Sequence, residues 1–247
     1  MKTFIAISNA SKKILKVAHM SSNLPVNVLI LGEEGVGKKL LSELVLPDGV
    51  IFDALTLEEL LIHEKINIDE YSELIVLNIQ SVLNKKEFME KLTGVKVVAT
   101  ANYISGEIEA SFAIKIDIPT LNERKDDLDE LINIYTLEAK EIYDIKENIK
   151  LDNKNLDLTT NGKSLKKSIY KSIFMRSLSD DEMMESFEYF VARRLKEKKD
   201  YRDLLKYFEI PLLKSAKKEF KSQLQMATNL NINRITLRKK LEQYFGE

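Results

Sequence analysis

The run Val26-Asn27-Val28-Leu29-Ile30-Leu31 stops at Gly32 and continues into Glu33-Glu34-Gly35-Val36-Gly37-Lys38-Lys39, then Leu40-Leu41-Ser42-Glu43-Leu44. No other stretch constrains the fold as much as this strand-like run, glycine-rich loop and helix-forming segment. Glycine admits the positive φ angles that turn backbone amides inward, and the spacing is that of a phosphate-binding loop. Gly32, Gly35, Val36, Gly37, Lys38 and Lys39 are therefore the candidate nucleotide-binding residues, with Lys38 placed to reach the outer phosphates. Lys39 stands where a serine or threonine hydroxyl normally holds magnesium. These residues leave open whether the loop binds ATP or ADP, or keeps only the turn geometry of its fold.

Further strand candidates are Leu74-Ile75-Val76-Leu77, Val95-Lys96-Val97-Val98-Ala99 and Phe112-Ala113-Ile114-Lys115-Ile116, with Val50-Ile51-Phe52 a shorter one. Near-continuous apolar runs separated by helical segments predict an α/β fold: a parallel sheet with helices on both faces. Asn122-Glu123-Arg124-Lys125-Asp126-Asp127 opens a helix whose Leu128, Leu131, Ile132 and Tyr135 recur at helical spacing. Residues 144–164 are rich in Lys, Asn and Asp, marking a change to a helical region. The expected division is a core over 1–143, a helical, lid-like region over 144–200 and a C-terminal all-α module over 201–247.

That module ends in Leu230-Asn231-Ile232-Asn233-Arg234-Ile235-Thr236-Leu237-Arg238-Lys239-Lys240-Leu241. Asn231 suits a tight interhelical turn because Asn tolerates positive φ. Asn233 suits the N-cap of the next helix. Ile232, Ile235, Leu237 and Leu241 are expected on its apolar face. Asn233, Arg234, Thr236, Arg238, Lys239 and Lys240 form the candidate DNA-binding set, since a short helix presenting Arg and Lys near its N-terminus suits the major groove.

Charge agrees with this placement. The chain of 247 residues carries a net charge of only −1. From Pro211 onward, however, eight Lys/Arg oppose three Asp/Glu, a balance of +5 that leaves −6 on the rest. Attraction for phosphate is thus concentrated at the C-terminal end. The absence of cysteine excludes disulfides and thiolate metal sites and suits a reducing, cytoplasmic setting. No apolar run is long enough to span a membrane, and the opening residues lack a secretory-signal pattern. His19 and His63 lie on separate elements and suggest no metal site. Asp180-Asp181-Glu182 after Ser179 reads as a helix start, and Arg193-Arg194-Leu195-Lys196-Glu197-Lys198-Lys199-Asp200 as a solvated helix.

Two regions resemble known families. Pro211-Leu212-Leu213 at the expected start of a first helix, Gln223, and Ile232-Asn233-Arg234 with Thr236-Leu237-Arg238-Lys239-Lys240-Leu241 and Tyr244 resemble the Fis-type helix-turn-helix that closes NtrC-type bacterial enhancer-binding proteins. The core resembles the AAA+ ATPase domain of the same sigma-54-dependent family. The likeness runs through Phe4-Ile5-Ala6, residues 27–38, Glu59-Leu60-Leu61-Ile62-His63-Glu64-Lys65, residues 95–102, and Pro119-Thr120-Leu121-Asn122-Glu123-Arg124-Lys125-Asp126-Asp127-Leu128. Asn102 stands at the polar position of the first sensor. With the lead-in already at Phe4, no receiver module is expected ahead of it. The resemblance implies double-stranded DNA as a partner, with Arg234 meeting a base edge. It also implies a homodimer formed through the first helices of the C-terminal module (residues 205–220), and ATP or ADP as the ligand class.

The departures from that family matter as much. The Gly-Ala-Phe-Thr-Gly-Ala loop that engages sigma-54 is replaced by Ile66-Asn67-Ile68-Asp69-Glu70-Tyr71. The Asp-Glu pair expected after Leu77 is Asn78-Ile79. No arginine finger lies in Glu107-Ile108-Glu109-Ala110-Ser111, and Asn161-Gly162-Lys163-Ser164-Leu165 lacks the second sensor's arginine. Phosphoryl transfer depends on positioned charge, so hydrolysis of ATP is not expected. The reading that follows is a DNA-binding transcriptional regulator on a degenerate AAA+ core. Its alternatives are an ATP-switched regulator and a sigma-54 activator-like ATPase acting with a protein partner, such as an AAA+ relative or an RNA polymerase component.

Overall fold

The computed structural model describes residues 3–103, 106–146, 149, 151 and 156–246. They form two compact units, Met1–Ser177 and Leu178–Glu247. In the first, β1 (Val28–Leu31), β2 (Val50–Asp53), β3 (Glu73–Leu77), β4 (Lys96–Ala101) and β5 (Ile114–Asp117) make one sheet in the order β2-β3-β4-β1-β5. Every pairing is parallel, with Val28 opposite both Val98 and Ile114. All five expected strands are present.

The apolar runs are nearly continuous because successive residues serve opposite faces. Leu29, Leu74, Val76, Val97 and Ala99 face one core, which α3 (Ala54–Ile62) and α4 (Lys85–Lys91) supply with Leu57 and Phe88. Val28, Ile30, Ile75, Val98 and Ile116 face the other. Ala18 of α1 (Asn9–Ser22) and Leu41 and Val45 of α2 (Lys38–Val45) complete that layer. A short α5 (Gly106–Glu109) precedes β5. β2 lies at the sheet edge with Val50 and Ile51 exposed, which explains its shorter apolar signal.

The helical region expected over 144–200 is divided between the units. α7 (Asn161–Ser177) packs against α6 (Lys125–Ile142) around Leu165, Ile169 and Ile173, with the predicted Leu128, Leu131, Ile132 and Tyr135 beside them. Ile145, Ile149, Leu151, Leu156 and Leu158 join this cluster, so the sparse apolar residues of the polar stretch tie it to the first unit. Part of 144–164 lies outside the described residues.

In the second unit, α8 (Asp180–Lys196) starts with a reciprocal Ser179–Glu182 capping box, the role predicted for that acidic cluster. α9 (Tyr201–Glu219), α10 (Gln223–Asn229) and α11 (Arg234–Phe245) follow, with Leu213, Ala216, Met226, Ala227, Leu237 and Leu241 as the core of this module. Pro211 does not open the first helix as expected but lies inside α9. That helix starts well upstream, where Asp200 caps it by accepting from the Asp203 N–H at 2.9 Å. Proline within a helix removes one backbone donor. No helix among the described residues is long and apolar enough to cross a membrane.

A buried ionic network fastens the lead-in to α6. Asp127 accepts from the N–H groups of Ile7 (2.6 Å) and Ser8 (2.8 Å) and from the hydroxyls of Ser8 (2.9 Å) and Ser11 (2.5 Å). Arg124 Nη1 lies 3.3 Å from Asp127 Oδ2, and its guanidinium sits 5.6 Å from the Phe4 ring centre. Burial alone raises the Asp127 pKa. The donors from Ser11, Ser8 and Ile7 outweigh it and hold the carboxyl below its ordinary value.

A group held below its unfolded pKa contributes stability above that unfolded value, and this is lost as pH falls through the folded one. Asp127→Asn should therefore lower the unfolding free energy by about 3 kcal/mol near pH 7, because it leaves the Arg124 charge buried without its partner. In urea titrations at several pH values, the gap from wild type should narrow below about pH 4. A gap unchanged on acidification would show that the carboxylate charge is not its source.

Candidate functional site

The loop from Gly32 to Gly37 leads out of β1 at the carboxyl edge of the sheet, where open α/β sheets place their ligand crevices. Each successive carbonyl of the loop accepts a hydrogen bond. Lys38 Nζ donates to the Gly32 and Glu33 carbonyls, both at 2.7 Å. Asn161 Nδ2 donates to Glu34 O at 3.1 Å, and the Gly162 N–H to Gly35 O at 3.0 Å. Arg124 Nη2 donates to Val36 O at 3.0 Å, and the Leu41 N–H to Gly37 O at 3.1 Å. The carbonyls of the loop are thus held by the protein's own donors.

Two glycines are required here on steric grounds. Gly35 has φ +79°, and a Cβ at that position would lie 2.0 Å from the Thr160 carbonyl oxygen. Gly37, which caps α2, has φ +107°, where a Cβ would press on the Phe4 ring. Both conformations are costly for any other residue.

Lys38 is only 9% exposed, and its third hydrogen bond goes to Asn102 Oδ1 at 2.8 Å. Burial lowers its pKa, while Glu34 and Glu33 push it partly back up. Lys39 turns toward solvent, 3.7 Å from Glu43 on the next turn. Asn78, which follows β3, is left-handed at φ 60°. Its amide side chain donates to Asp53 at 2.9 Å, and its backbone N–H to the Thr100 hydroxyl at 3.2 Å.

A cavity of about 960 Å³ opens beside the loop. Its lining includes the polar side chains of Lys38, Lys39, Asn78, Asn102 and Arg124 and the apolar ones of Phe4, Ile5, Leu131, Ile134 and Tyr135. On the α7 side, Lys166 Nζ sits 5.0 Å from the Tyr135 ring centre and 4.9 Å from that of Tyr170. It donates to Glu138 at 2.5 Å. Burial opposes its charge, but Glu138 and Tyr170 outweigh burial and raise its pKa. Lys163 pairs with Glu34 at 2.7 Å across the loop. A concave site lined by both apolar side chains and several cations suits a ligand with an aromatic part and a phosphate part.

The loop and Asn102 are legible in the sequence, but what holds the loop is not. Arg124 falls within a block shared with the family and has no role predicted for it, although a basic residue three positions before an acid at a helix start is a signal. Asn161 stands out in the sequence only beside a missing arginine. Its left-handed backbone (φ 46°) starts α7 directly against Glu34 and Gly35, and its Oδ1 accepts from the Leu121 N–H at 2.8 Å.

In the second unit, the turn and cap are as expected. Asn231 has φ 50°, and Asn233 Oδ1 accepts from the Ile235 N–H at 2.8 Å. Arg234, Thr236, Arg238 and Lys239 are exposed together on α11. Two residues depart from expectation. Ile235 is 67% exposed, because Leu237 and Leu241 already fill the contact with α9 and α10. Lys240 turns inward to the carboxylate of Glu209, which also accepts from the Tyr244 hydroxyl at 2.8 Å, so Lys240 is not on the exposed face with the others.

No protein-family model and no curated protein matches the chain. Solved structures do. NtrX from Brucella abortus in complex with ATP matches over 98% of this chain and 69% of its own, with a TM-score of 0.59 and 14% sequence identity. The same protein in complex with ADP matches over 97% of this chain and 68% of its own, with a TM-score of 0.59 and 17% identity. At these identities the likeness is one of fold. What they share with this chain is the α/β fold, a parallel sheet with helices on both faces.

Proposed function

We propose that this protein is a sequence-specific DNA-binding transcriptional regulator whose AAA+-type domain holds a nucleotide without hydrolysing it. The observation that carries the reading is the exposed arc of Arg234, Arg238 and Lys239, with Thr236 at its margin, on a short helix capped by Asn233. Such an arc brings cations and a hydroxyl to base edges and phosphates together. Arg234 is the residue for a guanine edge, and the exposed Ile235 beside it suits the methyl group of thymine. Arg238 and Lys239 are the phosphate contacts. Lys240, engaged with Glu209, stabilises the module instead.

The exposed Phe208 and Leu212 of α9 support a homodimer formed through that helix, since large apolar side chains in solvent mark association surfaces. A two-fold dimer would read two half-sites.

The nucleotide part of the reading rests on the glycine loop and its cavity, and the ATP complex of the similarly folded NtrX favours the same ligand class. The absence of hydrolysis rests on Asn78-Ile79 in place of the acidic pair and on the missing arginines. Without a carboxylate to hold metal and orient water, the reaction loses its main electrostatic support. ATP is then a ligand, not a substrate.

Duplex binding should weaken steeply with salt. Arg234→Ala should weaken it by about 1–3 kcal/mol at a specific site and flatten the preference for that base. Equal affinity and equal preference in the variant, read by fluorescence anisotropy, would remove α11 as the reading helix. ATP should raise the melting midpoint of the first unit in the wild type and not in Lys38→Ala. Melting curves that ignore ATP in both proteins would end the nucleotide-binding part of the proposal.

A further inference from the structure

We infer that the nucleotide is bound without magnesium, with the ammonium group of Lys39 supplying charge where the metal would sit. The inference rests on the nucleotide-binding reading above and concerns what neutralises the phosphates.

Two groups ordinarily hold magnesium at a loop of this kind: the hydroxyl that follows the loop lysine, and a carboxylate at the end of the neighbouring strand. Both are replaced here, by Lys39 and Asn78. Magnesium is a hard ion that takes oxygen ligands in a near-octahedral set. An ammonium and a carboxamide already donating to Asp53 do not provide one.

The nearby carboxylates are engaged elsewhere. Asp53 accepts from the Asn78 side chain at 2.9 Å and caps α3 through the Leu55 N–H at 3.2 Å. Glu34 is paired with Lys163 at 2.7 Å, and Glu33 accepts from Asn161 at 3.2 Å. Among the described residues, no group of three His, Cys, Asp or Glu side chains could hold a metal ion.

Lys39, by contrast, is available. It lines the cavity, its side chain is 59% exposed, and its ion pair among the described residues is the 3.7 Å contact with Glu43. An exposed pair of that length contributes little and is readily exchanged for a polyanion. An ammonium that swings from Glu43 to the phosphates would repel a divalent ion there. Magnesium chelated to ATP in solution therefore competes with the protein for phosphate oxygens.

The test is calorimetric titration of ATP into the full chain in EDTA and in excess magnesium, for the wild type and for Lys39→Ser, which restores the hydroxyl. The wild type should bind at least as tightly in EDTA as in magnesium. Lys39→Ser should bind about tenfold more weakly than wild type in EDTA, the loss of one partly screened charge contact. Wild-type binding that requires magnesium would overturn the inference and leave the nucleotide site intact. No binding by the wild type in either buffer would overturn the nucleotide-binding reading, and this inference with it. The wild-type comparison does not depend on the variant folding.

Discussion

Six consecutive carbonyls, from Gly32 to Gly37, each accept a hydrogen bond, and the first unit is organised around satisfying them. The donors come from widely separated parts of the chain: Lys38 and Leu41 on α2, Arg124 just before α6, and Asn161 and Gly162 at the start of α7. Each bond contributes about 0.5–1.5 kcal/mol net, and a buried carbonyl left without one costs more than that. Arg124 also joins this loop to the Asp127 network and so to Ser8 and Ser11 of the lead-in. The loop, the lead-in and the start of α7 are therefore joined in one hydrogen-bonded network.

The proposed reading, a nucleotide held and not cleaved, has a physical logic. Holding a nucleotide requires a shaped loop, a cation and an apolar flank. Cleaving it additionally requires charge placed on a metal, an attacking water and a leaving group. The first set is present as Lys38, Lys39 and the cavity beside Tyr135. In the place of the second stand Asn78 and Ile79. On that reading the site serves occupancy, with Lys38 and Lys39 as its cations.

Much of the fold was legible in the sequence because it follows from local rules. Alternation of side chains across a sheet with two covered faces explains the apolar runs at 28–31, 74–77 and 96–101. Asn231 and Asn233 announced a left-handed turn and a cap because few other residues serve those roles as well. What was not legible depends on tertiary contacts. Ile235 fits a helical apolar pattern, yet Leu237 and Leu241 leave it no room in a small core. Lys240 reads as one more surface cation until Glu209, thirty-one positions earlier, is brought beside it. Pro211 suggested a helix start, whereas Asp200 already caps the helix upstream. The donors to the loop could not be read from spacing, since Arg124 and Asn161 reach it only through folding.

A phosphate loop that keeps its nucleotide uncleaved can be caught with it. The protein is incubated in molar excess over ATP, the complex is isolated after many minutes, and the nucleotide it carries is identified. ATP with its γ-phosphate intact is the expected finding. Stoichiometric conversion to ADP and phosphate, or a protein that retains no nucleotide at all, would contradict it.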